Sequence, residues 1–143
     1  MKISLKSGAG ELLFGMKEKD VKALYGEPDR NFKDEDKNVI YLYNDKKLRL
    51  TFYQDEDFRL GYIITSNPQA ELFGKKVIRE KWENLTAHLS ENKLKAFEKD
   101  VFDGMDNQFN EDNWVIFQVE FGEVMRVEIG AIINSKDEFD WKF

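Results

Sequence analysis

The chain of 143 residues contains no cysteine, a single histidine and no long apolar run. Without cysteine there can be no disulfide, no thiolate metal site, no thiolate nucleophile and no lipid attached through sulfur. One histidine, His88, leaves Ser4, Ser7, Ser66, Ser90 and Ser135 without an oriented base, and none of them sits in a G-x-S-x-G elbow. Gly8-Ala9-Gly10 is followed by no lysine and hydroxyl at the spacing a phosphate loop requires. No stretch reaches the apolar length of a bilayer span, and Met1 to Gly8 lack the apolar centre of a signal peptide, so the chain is expected in the cytoplasm and away from membranes.

What the chain does have is charge and aromatic surface. Its 22 basic and 28 acidic residues give a net charge of -6, which disfavours the phosphate backbone of nucleic acids and suits a basic partner. Hydrophobic residues make up 41% and aromatics 14%, enough for one core of ordinary domain size. The acidic runs Asp34-Glu35-Asp36, Asp55-Glu56-Asp57, Asp103 with Asp106, and Glu111-Asp112 lack the alternating ligand order and central glycine of a calcium loop, so neither a metal nor any other cofactor is expected. Nothing in their spacing selects a glycosidase-like pair of acids. His88 falls near a predicted helix end, where the carbonyl dipoles account for it without chemistry.

The pattern reads as a repeat. A short amphipathic helix followed by strands occurs near the start, and the same order returns about 64 residues later. The expected fold is α+β: tandem helix-then-antiparallel-strand units, about residues 10–67 and 72–134, fused into one continuous sheet with helices on one face and a short C-terminal tail. Residues 1–143 then form a single domain. Met16, Val21, Leu24 and Tyr25 predict a helix over Met16 to Tyr25 that Gly26 and Pro28 stop. Val39 to Tyr43, Leu48 to Tyr53 and about Arg59 to Thr65 read as strands, the first two joined by Asn44-Asp45-Lys46-Lys47. In the second unit a helix ends near Leu89, and Ser90 caps another in which Leu94, Phe97 and Val101 share a face up to Gly104. Trp114 to Phe121 and Met125 to Ile133 form a hairpin, with Gly122-Glu123-Val124 as a three-residue turn. The tail, with Phe139, Trp141 and Phe143 alternating, is an edge strand or lies open.

The segment from Phe14-Gly15-Met16-Lys17 through Leu24-Tyr25-Gly26-Glu27-Pro28-Asp29, with Tyr41-Leu42-Tyr43 and Asn67-Pro68-Gln69-Ala70-Glu71-Leu72-Phe73-Gly74-Lys75 after it, resembles small bacterial immunity proteins. Such proteins neutralise polymorphic toxins, including those of contact-dependent growth inhibition. The order of elements also resembles the tandem architecture of the β-lactamase inhibitor protein. The helix-G-x-P-D pattern recurs in outer-membrane assembly lipoproteins, from which this chain departs in having no cysteine to lipidate.

The resemblance implies a non-enzymatic immunity protein that covers the active site or another essential surface of a cognate toxin domain, and the charge suggests a basic nuclease as that toxin. The alternative is a module of the same fold that binds a small molecule or a resident protein; an enzyme with paired carboxylates ranks last. The residues expected to meet the partner are the acids Asp34, Glu35, Asp36, Asp55, Glu56, Asp57, Glu111 and Asp112, which steer encounter, and the aromatics Tyr41, Tyr43, Tyr53 and Trp114, which anchor it.

Overall fold

A computed structural model describes residues 1–143. In chain order the elements are β1 (Ile3–Ser4), β2 (Gly8–Ala9), β3 (Leu12–Leu13), α1 (Glu18–Tyr25), β4 (Arg30–Lys33), β5 (Val39–Tyr43), β6 (Leu48–Tyr53), a 3-10 turn (Gln54–Glu56), β7 (Arg59–Thr65), β8 (Glu71–Leu72), β9 (Lys75–Lys76), α2 (Trp82–Glu91), β10 (Glu98–Phe102), β11 (Met105–Asn110), β12 (Val115–Glu120) and β13 (Glu123–Gly130). One antiparallel sheet of eight strands dominates, in the order β10-β11-β12-β13-β7-β6-β5-β4. Two meanders meet at its centre, where β13 pairs with β7 and sets Ile129 opposite Ile63. The short strands β1, β2 and β3 form a small sheet, β8 and β9 a small hairpin, and a Lys2–Glu71 bridge connects the two.

The expected α+β class and its repeat of helix-then-strand units are therefore corrected. The chain is mostly β, with 43% strand, 15% helix and only two helices. The helix expected from Ser90 to Phe102 does not form. Lys93 (φ +66°) and Ala96 (φ +71°) take the left-handed conformation, which interrupts any right-handed helix. Leu94 drops into the core between them, and Glu98–Phe102 instead pairs with β11, Val101 opposite Asp106. The i, i+3, i+7 spacing of Leu94, Phe97 and Val101 matched a helical stripe, but only Leu94 of the three is fully buried, and Val101 lies exposed.

Elsewhere local chemistry and structure agree. α1 ends at Tyr25, and Gly26 (φ +77°) donates its N–H to the Lys22 carbonyl, a positive-φ stop that glycine adopts without steric cost. Strands β5, β6 and β7 occupy the expected ranges. Along β6 the buried Leu48, Leu50 and Phe52 alternate with the more exposed Arg49, Thr51 and Tyr53, the period-two signature of a sheet covered on one face. Val39, Tyr41 and Tyr43 of β5 and Val115, Phe117 and Val119 of β12 continue the covered face. Both helices lie against it. Val21 of α1 and Leu85 and Leu89 of α2 are buried there, and the Trp82 ring packs 5.3 Å from Phe117. The Tyr41 hydroxyl donates to Glu18 Oε1 at 2.5 Å, and the Tyr43 hydroxyl to the Gly26 carbonyl at 2.8 Å, so α1 is tied to β5 at both ends.

The β12–β13 hairpin differs from the expected three-residue turn. Phe121 (φ +51°) and Gly122 (φ +78°) form a two-residue turn with Glu120 opposite Glu123 and Val119 opposite Val124. Two positive φ angles match the twist of the flanking strands. A bulge follows: Gln118 stands opposite Arg126, leaving Met125 as the extra residue, and Val127 returns to the covered face opposite Phe117.

Candidate functional site

Strand register carries three acidic loops to the same end of the eight-stranded sheet. Val39 lies opposite Phe52, Tyr53 opposite Arg59, and Val115 opposite both Asn110 and Ile129, so the connections at 34–38, 54–58 and 111–114 leave the sheet together. They carry Asp34, Glu35, Asp36, Asp55, Glu56, Asp57, Glu111 and Asp112, against which the same loops set only Lys37. These eight acids are not equally free. Asp34 Oδ1 accepts the N–H groups of Asp36 (2.9 Å) and Asn38 (3.0 Å), so this carboxylate shapes its own turn. Asp57 pairs with the Lys17 ammonium, whose hydrogen bond and charge hold its carboxyl below the usual aspartate range. Glu35, Asp36, Asp55, Glu111 and Asp112 are exposed, and Glu56 is half-buried.

Beside the 111–114 loop and the end of β6 opens a cavity of about 490 Å³. Tyr53 and Trp114 form part of its wall, Glu111 and Asp112 contribute the polar side, and Ala131, Ile132, Ile133 and Phe139 complete it. Two glycines make room for the rings. A Cβ on Gly61 would lie 2.1 Å from Tyr53 Cε2, and a Cβ on Gly130 would lie 2.5 Å from Trp114 Cδ1. Each aromatic therefore rests directly on strand backbone, in a space that any other residue would fill. Gly61 is the extra residue of a bulge, since Thr51 pairs with Tyr62 and Phe52 with Leu60. The tail supplies the far wall. Ile133 bridges Phe139, Phe139 leans on Tyr53 at 5.7 Å and stacks on Trp141 at 4.8 Å, and the Lys142 N–H donates to the Phe14 carbonyl.

The phenols here are held neutral. Burial pushes Tyr53 up to about 12. Tyr62, which donates to Glu128 Oε1 at 2.5 Å, is raised by burial first and by the Glu128 charge second. The cavity thus has aromatic and aliphatic walls with carboxylates on one side, a combination suited to holding a group that is apolar along its length and positive at its end.

Of the aromatics expected at the partner surface, Tyr53 and Trp114 line this cavity, with Trp114 38% exposed. Tyr41 and Tyr43, at 0% and 5% exposure, belong to the core and cannot touch a partner. Phe139, Ile132 and Ile133 were not anticipated from the sequence. The signal for this site was the pair of glycines inside strand patterns, which mark a close approach of another group.

The uncovered face of the sheet is chemically different. A broad depression of about 520 Å³ at its centre includes Lys47, Arg49 and Arg126 with Glu128 as its one acid, so negative charge concentrates at the loop end and not across the sheet. Close by, the side-chain oxygens of Gln118 and Asn107, which face each other across β12 and β11, are buried without a hydrogen-bond partner. No group of three or more His, Asp or Glu side chains converges as a metal site. His88, in the last turn of α2, places Nε2 3.1 Å from the Phe73 carbonyl in the turn between β8 and β9. No helix is long and apolar enough to cross a membrane.

No protein-family model and no curated protein matches the chain. Its fold is similar to that in an extracellular protein containing a SCP domain from Bacillus anthracis str. Ames, with a TM-score of 0.55 and 16% identity over 88% of this chain and 49% of that one. It is also similar to a DUF4309 family protein (YjgB) from Bacillus subtilis subsp. subtilis str. 168, with a TM-score of 0.51 and 15% identity over 81% of this chain and 78% of that one. The chain spans about half the length of the Bacillus anthracis protein. At these identities the likeness is one of fold.

Proposed function

We propose that the chain is a non-catalytic binding module whose acidic loop end engages a basic protein partner. The observation that carries this reading is that three separate acidic loops leave the same end of the sheet, where one of them, with Glu111 and Asp112, borders an aromatic cavity. Carboxylates at the rim raise the rate of encounter with a positive surface, while apolar area in the middle supplies the affinity that screened surface charges cannot. A likeness that covers about half of an extracellular Bacillus protein is compatible with a module that works beside other domains. A basic nuclease toxin, the partner class implied by the resemblance of the Phe14–Asp29 segment to immunity proteins, is a narrower form of the same reading, and protection on co-expression with such a toxin tests it.

The general reading is tested by calorimetric titration of the full chain with a lysine-rich and a glutamate-rich peptide of equal length. Binding of the lysine-rich peptide alone, weakened by salt and by the triple change Glu35→Gln, Asp36→Asn and Asp55→Asn, is the expected result. Equal binding of both peptides, or of neither, sinks it.

A further inference from the structure

The cavity at the loop end has a composition that specifies more than general acidity. We infer that it is a receptor for one lysine side chain of the partner, taking the aliphatic stem against Ile132, Ile133 and Phe139 and the ammonium between the Trp114 and Tyr53 rings and the Glu111 and Asp112 carboxylates. This rests on the reading of the chain as a module for a basic protein.

Three features point to that occupant. The volume of about 490 Å³ admits a single extended side chain with part of its backbone. Six of the eight lining residues are hydrophobic, so the cavity gains from desolvating an apolar stem, which a compact hydrated ion lacks. Both ionisable acids of the lining are carboxylates and no cation lines the cavity, so charge complementarity favours a positive group and repels an anionic one. Tryptophan and tyrosine faces add attraction for a cation that is strongest when water is excluded. The rings are also preorganised. Trp114 is fixed over Gly130 and packed edge-to-face on Phe109 at 5.0 Å, while Tyr53 is fixed over Gly61 and held by Phe139. Little side-chain freedom is then lost on binding. A lysine reaching this point meets Glu111 and Asp112 of the cavity lining, so two of the acids at the loop end also align the anchoring residue.

The test uses the full chain and two probes that share a four-carbon stem and differ by the terminal ammonium, Nα-acetyl-lysine methylamide and Nα-acetyl-norleucine methylamide, followed by the NMR shift of the Trp114 indole N–H, assigned with Trp114→Phe. The expected result is a Trp114 shift with the lysine probe, affinity about tenfold above that of norleucine, in line with the worth of a partly desolvated cation–π contact. Glu111→Gln with Asp112→Asn should erase the preference while leaving the apolar walls intact. Equal binding of the two probes, or a Trp114 resonance that responds to neither, overturns the inference. The lysine-rich peptide separates this failure from that of the broader reading. If the peptide binds and the Glu111→Gln/Asp112→Asn chain binds it equally well, the cavity assignment falls while the acidic-module reading stands; if the peptide does not bind at all, both fall.

Discussion

Tyr41 and Tyr43 on β5 and the pair Tyr53 and Trp114 at the loop end are the same kind of residue with opposite fates. The first two point to the face that α1 covers and anchor the helix through their hydroxyls. The second two rest on glycine backbone, and one side of each ring is open to a cavity. The difference follows from strand parity, since neighbouring positions point to opposite faces. Tyr53 follows the buried Phe52 and Trp114 precedes the buried Val115, so both lie out of phase with the core. Aromatic content therefore reports nothing about binding until the phase of each strand is known.

Breaking this comparison should cost most on the core side. Tyr41→Ala removes a fully buried ring that packs 4.8 Å from Phe52 and leaves Glu18 without its donor, so urea unfolding should show a loss of about 3–5 kcal/mol. Gly61→Ala comes next. The added methyl collides with the Tyr53 ring at 2.1 Å, and displacing that ring should cost about 1–3 kcal/mol; a midpoint equal to that of the unchanged chain would show that Tyr53 is not held against β7. Trp114→Ala, which removes a ring that is 38% exposed and packed on Gly130 and Phe109, should cost about 1–2 kcal/mol, leaving the chain folded while abolishing the lysine-probe response.

Alkaline titration sharpens the same contrast. Tyr43 and Tyr53 are each raised by burial from about 10 to about 12. Between those values the unfolded chain loses phenolic protons that the folded chain keeps, so stability is complete below about pH 10 and falls as pH rises toward 12. Tyr53→Phe should flatten part of that decline in a thermal melt series, and a profile that stays level from pH 10 to 12 would contradict the burial of these phenols. The smallest effect is expected at Phe121, 98% exposed on its turn: Phe121→Ser should stay within about 0.5 kcal/mol of the original stability.

Much of the first half was legible because its signals are short in range. The β5–β6 hairpin, the alternation along β6 and the Gly26 stop all follow from neighbours within a few positions. The misreadings have equally specific causes. Leu94, Phe97 and Val101 fit a helical stripe, yet the left-handed Lys93 and Ala96 and the ladder offered by β11 decide otherwise. The β12–β13 turn was misjudged because a bulge at Met125 keeps the alternation in register with a shorter turn, and a bulge leaves no local mark in residue type. Within the candidate site, Tyr53, Glu111, Asp112 and Trp114 are among the residues the sequence singles out, and all four line the cavity, but the wall from Ile132 to Phe139 depends on a tail that folds back across the sheet end.

The sequence by itself determined the net charge, the absence of thiol chemistry, the local strands and the stop of the first helix, because each depends on residue type or on contacts a few positions apart. Only the tertiary structure decided the class of the fold, which tyrosines are buried and where the acidic runs meet. Those outcomes depend on which strands pair over long separations: the β7–β13 junction brings Gly61 beside Gly130 and gathers loops more than fifty residues apart at one end of a single sheet.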